Sequence, residues 1–186
     1  MNKLKMLAMM SLNIILSSSG CDKERNESSD DKLTLEKVAY NGNELRIDGY
    51  YQYYVYVDSE PYKVAPFFLY RNGVILECTL FGLDKILEME EEFRNGSYAI
   101  NAAKYKYDWG IFQINGTQIK YEKWVPTNGP FPAVTYEGVI LNDTTFVITK
   151  YYRIKDIDKK APTEVSWEYH FKQFSSKPDS TNRFIP

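Results

Sequence analysis

Glu164-Val165-Ser166-Trp167-Glu168-Tyr169-His170-Phe171-Lys172 decides the fold of this chain. Val165, Trp167, Tyr169 and Phe171 alternate with Glu164, Ser166, Glu168, His170 and Lys172. Period-two alternation over this length describes an antiparallel strand with one greasy and one wet face. A second such set runs through Leu45, Ile47, Gly49, Tyr51, Tyr53, Val55 and Val57, with Gly49 read as a bend or bulge.

Turn chemistry supplies the partners. Asn72-Gly73 separates residues 67–71 from 74–81, Asn115-Gly116 separates 107–114 from 117–125, and Asn142-Asp143 separates 134–141 from 144–153. Asn-Gly marks a hairpin because a type I′ turn needs positive φ at both central residues, and Asn-Asp tolerates the same conformations. Together with 45–57 and 164–174 these segments predict eight strands. One short helix interrupts them, with Leu83, Ile86, Leu87 and Phe93 as its buried stripe and Glu88, Glu90, Glu91 and Glu92 as its solvated face. Residues 95–106 carry no clear pattern. Eight antiparallel strands in sequential order suit closure into an up-and-down barrel, which removes exposed edges. A two-sheet β-sandwich is the alternative.

Composition points the same way. The 186 residues include 16 Tyr, 10 Phe and 3 Trp, types that favour the pleated, half-buried surface of a strand. Net charge is −2, and the basic residues form no stripe, which argues against nucleic acid as a partner.

The N-terminus has its own logic. Lys3 and Lys5 precede a short apolar run from Met6 to Leu16, followed by Ser17-Ser18-Ser19-Gly20 and then Cys21. Eleven mostly apolar residues are too few to cross a hydrocarbon core ~30 Å thick, so residues 1–20 read as a processed export signal. The small residues directly before Cys21 resemble the lipobox of bacterial lipoproteins, with Ser18 where an aliphatic residue is usual. That resemblance implies a diacylated, palmitate-bearing Cys21 as the mature N-terminus. It also implies attachment in the cell envelope, at the periplasmic or surface face of the outer membrane. Residues 22–32 contain no apolar side chain and five acidic ones, Asp22, Glu24, Glu27, Asp30 and Asp31. Such a segment cannot bury enough surface to offset its ordering entropy and is expected to be a disordered tether. The domain proper is placed at 33–174, and residues 175–186 are expected to fray.

The runs Phe68-Leu69-Tyr70-Arg71-Asn72-Gly73-Val74, Trp109 to Ile119 and Tyr136 to Phe146 resemble lipocalin-like lipoproteins of Bacteroidetes-type bacteria. The likeness covers about residues 40–174. Gly49-Tyr50-Tyr51 stands where true lipocalins carry Gly-x-Trp. The resemblance implies a calycin-type barrel that binds a small apolar or amphipathic ligand; it brings no catalytic residue with it.

The residues themselves offer little chemistry. His170 is the only histidine and falls on a polar strand face. Cys78 lies in phase with Leu76 and Leu80 and reads as a buried small hydrophobe. No zinc-ligand spacing, nucleophile elbow or phosphate-cradling glycine loop is present. The chain is therefore expected to be a non-enzymatic binding protein without a cofactor. Its candidate ligand-binding residues are the aromatics Tyr51, Tyr53, Trp109, Tyr121, Tyr151 and Trp167. The alternative is an accessory or interaction lipoprotein that holds a glycan or a protein on exposed aromatics and loops.

Overall fold

A computed structural model describes residues 29–186. Cys21, the signal segment and most of the expected tether lie outside the described residues. Nine strands form: β1 (Gly49–Val57), β2 (Glu60–Leu69), β3 (Val74–Glu77), β4 (Phe81–Gly82), β5 (Trp109–Asn115), β6 (Gln118–Trp124), β7 (Ala133–Asn142), β8 (Thr145–Arg153) and β9 (Thr163–Gln173). Eight of them close, each antiparallel to the next, through β1, β2, β3, β5, β6, β7, β8 and β9, and β9 pairs with β1 again. Tyr51 marks the seam, facing Phe67 on one side and Phe171 on the other. The short β4 adds to the outer part of β2. The barrel is thus the correct architecture, and the sandwich is not.

The expected hairpins form where their turn residues stand. Gly73 has φ +81°, and a Cβ there would sit 2.3 Å from the Val38 carbonyl oxygen, so both conformation and space demand glycine. Asn142 accepts from the Thr144 amide at 2.9 Å, which fixes the β7–β8 turn. One hairpin was not foreseen. Asp58 and Ser59 both take positive φ, 51° and 67°, and turn β1 directly into β2. Strand β2 therefore starts at Glu60 instead of residue 67, and Pro61 is accommodated at a register shift in the pairing with β1. Strand β1 begins at Gly49, and Leu45 and Ile47 belong to the segment before it.

Between β3 and β5 the chain leaves the barrel as a helical hairpin, α1 (Ile86–Asn95) and α2 (Ser97–Ala102). The α2 turn occupies the stretch that had no readable pattern. Helix α1 is rotated from the expected stripe: Leu87 is 79% exposed, whereas Met89, Glu90 and Phe93 are buried. Glu90 goes inside because its partners come from distant strands. Tyr50 Oη of β1 donates to it at 2.7 Å and Lys172 Nζ of β9 at 2.6 Å. Burial pushes the Glu90 carboxyl pKa up, but the hydrogen bonds from Lys172 and Tyr50 outweigh it and hold the group below its ordinary range. A depressed carboxyl stabilises the fold above its unfolded value and loses that contribution as pH falls through the folded one. Glu90→Gln keeps the shape and removes the charge, so it is expected to cost about 1.5–3 kcal/mol, the worth of hydrogen bonds to a charged group. Urea unfolding at neutral pH and again at mildly acidic pH checks this. A difference from wild type that persists undiminished in acid would show that the charge is not what matters.

Two layers of apolar side chains result. The outer wall carries Tyr50, Phe68, Leu76, Trp109, Ile111 and Trp124 against α1, α2 and the segments around Leu33 and Leu35 and around Phe184 and Ile185. The interior is filled by Tyr51, Phe67, Leu69, Ile75, Phe112, Ile119, Tyr121, Phe146, Ile148 and Tyr169. Both ends of the described residues strap the outer wall. Asp31 N–H donates to the Phe131 carbonyl at 2.9 Å, Trp124 Nε1 donates to the Asp31 carbonyl at 2.7 Å, and Thr34 and Leu35 amides donate to Glu122. The stretch then crosses the barrel's base, where Tyr40 packs on Phe112 and Arg46 N–H donates to the Asp143 carbonyl. Asp30 and Asp31, expected in a disordered tether, are docked on the wall. The tail 175–186 is also packed rather than frayed: Lys177 Nζ donates to the Ile47 and Leu69 carbonyls at 2.7 Å each, and Ile185 is buried.

Candidate functional site

The two ends of the barrel differ. The base is closed by the strap, with Tyr40, Leu45 and Ile47 packed against the interior cluster. Tyr51 Oη reinforces the closure by donating to the Arg46 carbonyl at 3.0 Å. At the opposite end, where β6 hands over to β7 and β8 to β9, the packing stops short and leaves a cavity of about 450 Å³. A volume in this range suits a small organic ligand.

Strand parity places the walls of that cavity. Tyr121 faces Tyr136, Tyr136 faces Tyr151, and Val134 faces Lys123, all pointing inward from β6, β7 and β8. Trp167 enters from β9. The rings form a continuous fan: Tyr121 on Tyr136 at 4.6 Å, Tyr136 on Tyr151 at 5.8 Å and Tyr151 on Trp167 at 5.5 Å, all stacked. Tyr53 adjoins Trp167 at 5.9 Å. Val134, Tyr136, Tyr151, Thr163 and Trp167 line the cavity itself, and Arg153, Asp156 and Lys160 stand at its rim. A flat aromatic wall beside a charged rim suits a ligand with an apolar body and a polar end.

Charge also enters the barrel. Glu77 of β3 faces Phe67 and Lys123 of β6 faces Gly110, so both side chains lie on the interior face. They pair at 2.5 Å, with 26% and 11% of their side-chain surface exposed. Burial raises the Tyr136 and Tyr169 pKa values well above the ordinary phenol range, and the Glu77 carboxylate adds to it. These hydroxyls are therefore neutral near neutral pH and serve as hydrogen-bonding groups. Asp108, on the turn that leads into β5, is buried next to this pair. Burial pushes its carboxyl up to about 7; Lys123 lowers it and Glu77 raises it.

Of the six aromatics singled out in the sequence, Tyr151 and Trp167 line the cavity and Tyr53 adjoins it. Tyr121 supports the fan from below and is fully buried. Tyr51 lies at the base of the interior, away from the cavity. Trp109 points outward: its Nε1 donates to the Ala102 carbonyl at 2.9 Å, and it packs under the helical hairpin. It faces Leu76, which is also outward, because β5 pairs with β3 in that register. Tyr136, Val134, Glu77 and Lys123 were missed, and the alternation Val134-Tyr136-Gly138-Ile140 was the signal for the first two. Cys78 is a free, buried thiol, pushed well above its ordinary value by burial, and so inert. His170 is exposed beside Glu168 at 3.4 Å. Among the described residues no cluster of three or more His, Cys, Asp or Glu side chains is arranged to hold a metal ion.

Comparison with family models, curated proteins and solved structures returns no match.

Proposed function

We propose that this protein is a lipid-anchored, non-enzymatic binding protein of the outer membrane, attached through Cys21, whose barrel mouth holds a small apolar or amphipathic ligand. The observation that carries the ligand reading is the cavity of about 450 Å³ between Tyr136, Tyr151 and Trp167, open at one end of a barrel closed at the other. A stacked aromatic wall offers apolar contact at low entropic cost, and Arg153 or Lys160 at the rim offers a charge for a polar end. The likeness to lipocalin-like lipoproteins and the lipobox-like residues before Cys21 support the same reading.

The test uses the tryptophan in the wall. Titration with a long-chain fatty acid should change Trp167 emission and saturate at one equivalent. Trp167→Ala should weaken binding at least about tenfold, since an aromatic anchor in a pocket contributes about 2 kcal/mol or more. Because the ring is only half-buried, the variant should keep a wild-type fold by circular dichroism. Undiminished affinity in both Trp167→Ala and Tyr136→Ala would remove the mouth as the binding site.

A further inference from the structure

The described chain begins at the open end of the barrel. Asp31 is held there by the Phe131 carbonyl and Trp124 Nε1 and is ion-paired with Lys155 of the β8–β9 loop. From Asp31 the strap descends the outer wall toward Gln113, whose Nε2 donates to the Glu36 carbonyl, and reaches the base at Tyr40. Only seven residues, eight Cα–Cα steps, separate Cys21 from Ser29. Eight steps span at most about 28 Å. The barrel is itself about 25 Å tall, given a ten-residue strand and the usual tilt. A lipid at Cys21 is therefore confined to within about 28 Å of Ser29 at the mouth. Presenting the base to the bilayer would require the tether to run back along the whole barrel at nearly full extension.

The rim has the chemistry for that position. Tyr56, Val57 and Tyr62, flanking the β1–β2 turn, are 53–60% exposed, and Ile157 of the β8–β9 loop is 51% exposed. Exposed Lys159 and Lys160 follow Ile157. Tyrosines favour the headgroup level of a bilayer, and lysines there direct their ammonium groups to the phosphates.

We infer that the mouth of the barrel docks on the membrane that carries the anchor, so that its amphipathic ligand enters from the bilayer and not from water. This inference rests on the proposed acylation of Cys21. The occupant of the rim is the lipid surface; the occupant of the cavity is an acyl lipid drawn from it.

The experiment places an environment-sensitive probe on single introduced cysteines of the full-length, acylated protein in phosphatidylethanolamine/phosphatidylglycerol vesicles with brominated acyl chains. Val57→Cys and Ile157→Cys report the rim, and Val38→Cys and Leu141→Cys the base; all four sites are at least half exposed, and Cys78 is too buried to compete for label. Bromine should quench the rim probes severalfold more strongly than the base probes. Equal quenching at both ends, stronger quenching at the base, or none at either would overturn the orientation. Incorporation of a labelled fatty acid at Cys21 is measured on the same samples. Without it the anchor itself fails and the orientation with it. With it, unfavourable quenching defeats the orientation alone and leaves both the anchor and the cavity standing.

Discussion

Phe67→Ala is expected to lower the unfolding free energy by about 3–5 kcal/mol, the range for deleting a buried phenylalanine. Phe67 is fully buried at the middle of the interior, with its ring 5.1 Å from Tyr121, 5.4 Å from Tyr169 and 6.0 Å from Phe146. The upper part of the range is expected because the neighbours cannot collapse into the vacated space. Tyr121 is stacked on Tyr136 at 4.6 Å and 12°, and Phe146 is stacked on Tyr169 at 4.6 Å and 6°. The transferred apolar area and the residual cavity therefore both count. Urea unfolding should show a lower midpoint with an unchanged slope, the sign that stability and not compactness has changed. A cost below about 1.5 kcal/mol, the ceiling for well-tolerated core swaps, would mean that the interior is loosely filled and that the boundary between packed core and open mouth is misplaced.

That boundary explains how far the sequence could be read. Inward and outward faces followed from alternation alone: Val165, Trp167, Tyr169 and Phe171 all point inward. Depth along the barrel did not follow. Tyr51 and Tyr53 share one face, yet Tyr51 closes the base and Tyr53 stands near the mouth. Depth depends on where the strap crosses, and no local pattern encodes that. The Asp58-Ser59 hairpin escaped notice because it lacks the glycine that announces positive φ; aspartate and serine hold that conformation here under the pairing of β1 with β2. Glu90 looked solvated because a run of glutamates on a helix usually is. Its burial is paid back by Tyr50 and Lys172, which lie 40 and 82 residues away. The Glu77–Lys123 pair is similar: each residue sits in an ordinary strand, and only the register of β3, β5 and β6 sets them side by side.

The interior charges lead to the other large effect. Asp108 is 6% exposed and lies within electrostatic reach of Glu77 of β3, Lys123 of β6, and Tyr98 and Cys78 of the outer wall. Burial first, with Glu77 adding to it and Lys123 opposing it, sets its pKa at about 7; in the unfolded chain an aspartate ionises near about 3.9. A raised folded value means that its contribution is fully present below about pH 4 and is lost as pH rises through about 7. Across that window the unfolded chain gives up the proton while the native state keeps it, so stability falls by about 1.4 kcal/mol per pH unit, on the order of 4 kcal/mol in all. Asp108→Asn preserves the shape and cannot ionise. The difference between variant and wild type should therefore swing in the variant's favour by several kcal/mol between pH 4.5 and pH 8. Taking the difference cancels groups such as Glu90 and Glu137, whose depressed values make stability rise with pH. Urea midpoints for both proteins at pH 4.5, 6 and 8 measure the swing. Two parallel lines would mean that Asp108 ionises at an ordinary value and that the barrel wall beside the Glu77–Lys123 pair is wetter than its burial indicates. A swing of the expected sign would establish a carboxyl behind the mouth that still holds its proton below about pH 7 and shares the field of Lys123 with Glu77 once it ionises.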